Sequence, residues 1–144
     1  LLGFMLGGKS KYEKRDYLKQ FKIGKATYSE SLIYEAYGGL QNDGIMLAVY
    51  YDVDAAKIIH QLDSWEKIND SPTILKNVSS YFGLDFVIPE IASGNFFLYD
   101  NSQHKELRSE AEMNTLLLHS EDVNFSLVVW DDEKHTIYIV EYRI

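Results

Sequence analysis

Tyr34-Glu35-Ala36-Tyr37-Gly38-Gly39-Leu40-Gln41-Asn42-Asp43-Gly44 separates two unlike stretches of chain. Before it, residues 26–37 alternate. Ala26, Tyr28, Leu32, Tyr34 and Ala36 fall on one parity, and Thr27, Ser29, Ser31 and Glu35 on the other. Side chains of a strand point to opposite faces with period 2, so this pattern predicts a half-buried strand. Glu30 and Ile33 interrupt it. After it, residues 45–51 read Ile-Met-Leu-Ala-Val-Tyr-Tyr without a break. A short apolar run this rich in strand formers suits a central strand covered on both faces. The Gly-Gly and Asp-Gly pairs between the two permit the positive φ of a tight reversal. The stretch therefore predicts the tip of a β-hairpin. A Gly-rich loop can also cradle an anion, but no Lys or Arg lies between residues 26 and 56 to assist.

Downstream, Asp52 and Asp54 offer an N-cap. Ala55, Ile58, Ile59 and Leu62 follow at i, i+3, i+4 and i+7, extended by Trp65, with Lys57 and His60 off the stripe. That spacing predicts an amphipathic helix. Ser71-Pro72 opens a second helix, whose face carries Ile74, Leu75, Val78, Tyr81 and Phe82 and which ends at Gly83. Upstream, Tyr17, Leu18 and Phe21 predict a helical turn or two over residues 15–21. Residues 86–91 read as extended because Pro89 disfavours helix at Ile88. Gly94 marks a turn and 96–99 a strand. Residues 100–123 read either as a long loop or as a helix over 113–118 opened by a capping box at Ser109-x-x-Glu112. Residues 124–130 and 135–143 form a last hairpin across Asp131-Asp132-Glu133-Lys134. Hairpins with two or three short helices on one face make an α+β architecture built on an antiparallel sheet.

The 144 residues suffice for one domain with a sizeable core, and 46% hydrophobic with 14% aromatic content excludes a disordered chain. There is no Cys, which excludes disulfides, thiol catalysis and Cys-based zinc sites. Residues 1–25 hold seven Lys/Arg against two Asp/Glu, a net of +5. The remainder holds seven against twenty, a net of −13, and the two sum to the overall −8. The acidic body argues against nucleic acid as a partner. Residues 1–8 are apolar, and Lys9, Lys11, Lys14 and Arg15 follow directly. Eight residues do not cross a bilayer. Residues 1–12 therefore read as the end of a membrane or signal segment with a cationic juxtamembrane stretch, ahead of a single domain at 13–144.

The hairpin stretch resembles a group of small, uncharacterised, membrane-anchored proteins of Gram-positive bacteria. Their pattern is roughly Tyr-Glu-x-His-Gly-Gly-Phe-x-Gly-Asp-Gly. Tyr34, Glu35, Gly38, Gly39, Asp43 and Gly44 match it, while Tyr37 stands for the His, Leu40 for the Phe and Asn42 for a Gly. The likeness continues through Ile88-Pro89-Glu90-Ile91, the Gly94 turn and the last hairpin. It implies an extracellular domain tethered to a membrane, and it brings no known activity.

Catalytic patterns are weak. His60, His104, His119 and His135 include no pair three or four apart, as a helical zinc motif requires. Asp52/Asp54 and Asp131-Asp132-Glu133 lack the spacing and the Gly of a calcium loop, and no Gly-x-Ser-x-Gly elbow occurs. No cofactor or metal is expected. Glu35 and Glu90 sit beside apolar strand sequence, where burial could raise a carboxyl pKa. Tyr34, Glu35, Tyr37, Asp43 and Glu90 are the candidate binding residues, with tyrosines offering apolar area and a polar tip. The resulting expectation is a membrane-tethered, non-enzymatic binding module whose partner is a protein or a cell-envelope component. The alternatives are a small carboxylate hydrolase using Glu35 and Glu90, and an acidic immunity-type protein that captures a basic partner.

Overall fold

The computed structural model describes residues 17–38, 43–68, 88–108, 111–112 and 124–143. They form one seven-stranded sheet in which every pairing is antiparallel. A short helix α1 (Tyr17–Gln20) precedes β1 (Glu30–Gly38) and β2 (Asp43–Tyr51). A 3-10 turn (Ala55–Lys57), α2 (Ile59–Asp63) and β3 (Glu66–Lys67) follow. The sheet is completed by β4 (Gly94–Asp100), β5 (Lys105–Leu107), β6 (Asn124–Asp131) and β7 (Thr136–Arg143). The strand order is β1-β2-β7-β6-β4, with β3 and β5 side by side along the far edge of β4. The last strand of the chain thus inserts beside the first hairpin.

The apolar run of β2 is central, between β1 and β7, and both its faces are covered. Met46, Ala48 and Tyr50 join a core beneath the helices, while Leu47 and Val49 join a second core on the opposite face. β6 and β7 divide likewise: Val128, Trp130, Ile137 and Ile139 face the helices, and Leu127, Val129, Tyr138 and Val140 face away. Full burial of side chains this size contributes about 1.5–3 kcal/mol each, which is why no polar alternation is needed in these strands.

On the helical face, Tyr17 and Leu18 of α1, Phe21, and Leu62 of α2 share one core cluster. α1 ends in a left-handed C-terminal motif. The Lys22 N–H donates to the Lys19 carbonyl at 3.0 Å, the Ile23 N–H to the Leu18 carbonyl at 2.8 Å, and Lys22 carries φ 65°. Glycine is the usual occupant of that position. Leu18 and Ile23 are both buried and supply the motif's hydrophobic contact. The opposite face is packed by Ile68, Ile88, Ile91 and Leu107.

Local differences from the sequence reading have physical causes. The strands of the first hairpin run on to Gly38 and Asp43, so Asp43-Gly44 lies inside β2 rather than in the turn, and residues 39–42 lie outside the described residues. β1 begins at Glu30, not at residue 26, and Tyr28 and Leu32 remain exposed at the sheet margin. The predicted helix over 55–65 is split. Asp54 caps the 3-10 turn by accepting from the Ala56 N–H at 3.1 Å, Ile58 leaves helical geometry at φ −125°, and Ile59 faces solvent. Asp52 does not cap; it takes φ 53° and accepts the Ser29 hydroxyl. The helix predicted over 71–83 lies outside the described residues, as do Ser109 of the capping box and residues 113–123.

Candidate functional site

A line of residues, polar but for Met46, crosses the helical face of the sheet. Ladder pairing sets it: Glu35 lies opposite Met46, Met46 opposite Glu141, Glu141 opposite Ser126, Ser126 opposite Tyr99, and Tyr99 opposite Glu106. The row therefore runs from β1 to β5. α1 rests on it through two hydrogen bonds. The Tyr17 hydroxyl donates to Glu35 Oε1 at 2.5 Å, and Gln20 Nε2 donates to Glu141 Oε1 at 3.1 Å. Tyr17 is fully buried and Glu141 is only 7% exposed. A carboxylate buried this deeply requires hydrogen-bond donors, and bonds to a charged group contribute about 1.5–3 kcal/mol.

At the β4–β5 end the row opens into a cavity of about 360 Å³ between the end of α1 and α2. Phe97 and Phe21 form its apolar side, with their rings 5.7 Å apart in an edge contact, and Trp65 backs Phe97 at 5.0 Å. Tyr99, Asn101 and Glu106 line the sheet side, and Gln20, Lys22 and Gln61 the helical side. Asn101 is fixed in place. Its backbone N–H donates to the Asn124 carbonyl at 2.9 Å, and its Nδ2 donates to Asn124 Oδ1 and to the buried Ser126 Oγ, each at 3.0 Å. Glu106 is ion-paired with Arg108, whose Nη1 donates to the Ser64 carbonyl at 2.8 Å and so ties β5 to the end of α2. The Tyr99 hydroxyl, the Gln61 amide and the Lys22 ammonium have no protein partner among the described residues. They are the groups available to a ligand.

Of the residues singled out in the sequence, Tyr34, Glu35 and Glu90 do not converge. Tyr34 packs partly buried against the core of the opposite face, so neighbouring Tyr34 and Glu35 are divided by the sheet. Tyr37 pairs with Gly44 and Asp43 with Gly38 in the hairpin ladder. Glu90 is exposed, in the segment whose Ile88 and Ile91 cover the opposite face. Glu35 and Glu90 thus stand on either side of the sheet, and neither lines the cavity. His60, His104 and His135 are all exposed, and His119 lies outside the described residues. Among the described residues no group of three or more His, Cys, Asp or Glu could hold a metal ion, and no helix is long and apolar enough to cross a membrane.

Glu141 was legible as an anomaly. It is a carboxylate within Ile137-Tyr138-Ile139-Val140-Glu141-Tyr142, where both strand faces are otherwise apolar. Tyr99, Gln61 and Lys22 gave no such signal, because strand, helix and loop positions forty residues apart meet only in the fold. No protein-family profile, curated protein or solved structure matches the chain.

Proposed function

We propose that the chain is a non-enzymatic binding module of the bacterial cell envelope, tethered to the outer face of a membrane through its N-terminal segment. The observation that carries the reading is the cavity wall: a hydroxyl, an amide and an ammonium without partners among the described residues, set beside an aromatic surface. Ligand sites combine an apolar lining with a few placed polar groups. Among the described residues no Ser, Thr, Cys or His lines the cavity, and its carboxylate, Glu106, is held by Arg108. Such a wall suits a small hydroxylated ligand with one apolar face, such as a saccharide unit, neutral or singly anionic. The tether rests on the apolar residues 1–8 and the cations of 9–15. The same reading takes the short helices, with 71–83 among them, as a layer on one face of the sheet.

The test is titration of the full chain, followed by amide NMR, with neutral hexoses, N-acetylated amino sugars and uronic acids. Tyr99→Phe and Gln61→Ala are expected to weaken the saturating shifts at least about tenfold, as loss of a ligand hydrogen bond does. No saturable shift of cavity residues with any of these sugars would overturn the saccharide reading. Turnover of a sugar, lost in Glu106→Gln, would replace it with a carboxylate hydrolase.

A further inference from the structure

The two margins of the sheet are built differently. The outer edge of β4 is covered by β3 and β5, strands of two and three residues. Strands so short are poor templates for another chain, which is one of the ways proteins blunt a sheet edge. The other margin is β1, nine residues long. Its inner side pairs with β2 over its whole length, from Glu30 opposite Tyr51 to Gly38 opposite Asp43, in one unbroken register without a bulge. No described residue pairs with its outer side. β1 contains no Pro, Lys or Arg, the residues that usually protect an edge. Among the described residues, its outward backbone N–H and C=O groups have no partner, and the exposed side chains of Tyr28 and Leu32 flank them.

We infer that β1 is a docking edge for an extended segment of another protein, which adds to the sheet as an eighth strand. The charge around it selects the segment. Glu30 and Glu35 are the only charged residues of β1, Asp52 and Asp54 adjoin its start, and no basic residue occurs from 26 to 56. The β1 edge of a second copy of this chain would bring no cation to meet these carboxylates. A segment that alternates apolar residues with Lys or Arg pairs its backbone with β1, lays its apolar side chains on the face of Ile33 and Tyr28, and sets its cations on the face of Glu30. The edge and the cavity lie at opposite margins of the sheet, so this partner is independent of the small ligand.

The test is amide hydrogen exchange of the full chain, read residue by residue. The probe is a nonapeptide of alternating Lys and Val. The same peptide with Glu for Lys, and one N-methylated at its central Val, serve as controls. The Lys-Val peptide is expected to slow exchange of alternate β1 amides at least about tenfold and to leave β7 amides unchanged. Neither control should do so. Glu30→Lys, at an exposed position, should leave the circular dichroism unaltered and weaken the peptide about tenfold at low salt. No slowing at millimolar peptide, or equal slowing by the Glu-Val peptide, would overturn the inference. So would protection that rises with protein concentration in the absence of peptide, which would assign the edge to a second copy.

Discussion

Gly94 is the position where one methyl group should do most damage. It opens β4 at φ 155°, opposite Asp131 of β6, with its backbone against the carbonyl of Trp130. A Cβ built there lies 1.8 Å from the Trp130 oxygen and 3.4 Å from the Asp132 nitrogen. Real Cβ atoms keep at least 3.0 Å from such atoms, so β4 and β6 must part by at least about 1.2 Å. A side chain at this φ costs about 1–3 kcal/mol by itself. The parting also breaks the ladder at its end and the Asp132 N–H to Ser93 carbonyl bond of 3.0 Å, at about 0.5–1.5 kcal/mol for each hydrogen bond. Together, Gly94→Ala should lose about 3–5 kcal/mol, or about 10–15 °C in Tm for a chain of this size. Gly24→Ala is the internal control. Its Cβ meets Lys19 Cα and Cβ at 3.2 Å without a demanding φ, so its cost should stay near ~1 kcal/mol. Scanning calorimetry of the two variants decides the matter. A Gly94→Ala protein melting within about 3 °C of the parent, or below no more than the Gly24→Ala protein does, would refute the packing argument.

Removing the α1 anchors should be costly for so short a helix: Tyr17→Phe and Gln20→Leu are each expected to lose about 1–3 kcal/mol by urea unfolding, because each leaves a carboxylate short of a donor. In the last hairpin, Asp131 Oδ1 accepts from the N–H groups of Glu133 and Lys134 at 3.0 and 3.1 Å, so Asp131→Ala should cost about 1–2 kcal/mol and Asp131→Asn clearly less. Burial, and then the neighbouring Asp131 carboxylate and Tyr51 phenol, hold the Tyr138 phenol above its ordinary pKa of 10.0. Below that pH both folded and unfolded chains keep the proton; as pH rises past it the unfolded chain ionises first, so stability should fall, and Tyr138→Phe should reduce the fall. Melting temperatures of the two proteins from pH 9 to 11 check this, and parallel curves would count against it.

Much of the secondary structure was written in local sequence. The unbroken 45–51 run and the β-branched, aromatic arms of the last hairpin specify strands because burial on both faces removes any need for alternation. Asp131 and Asp54 mark their turns through bonds to backbone two residues on. Where the local signal misled, packing prevailed: Ile58 and Ile59 fit a helical stripe, yet one turns into the core and the other to water. The candidate site was hardly legible at all. Glu35 was noticed beside apolar sequence, but its partner Tyr17 stands eighteen positions away and Glu141, two strands across, over a hundred. The sequence alone determined that hairpins, short helices and an acidic body would make an antiparallel α+β fold. Only the tertiary structure decided that β7 inserts between β2 and β6. That insertion aligns the carboxylates in one row, sets the cavity at one margin and makes β1 the other. The reason is that strand neighbours are chosen by burying both faces of β2, β6 and β7 at once, a condition on residues distant in sequence that no local period records.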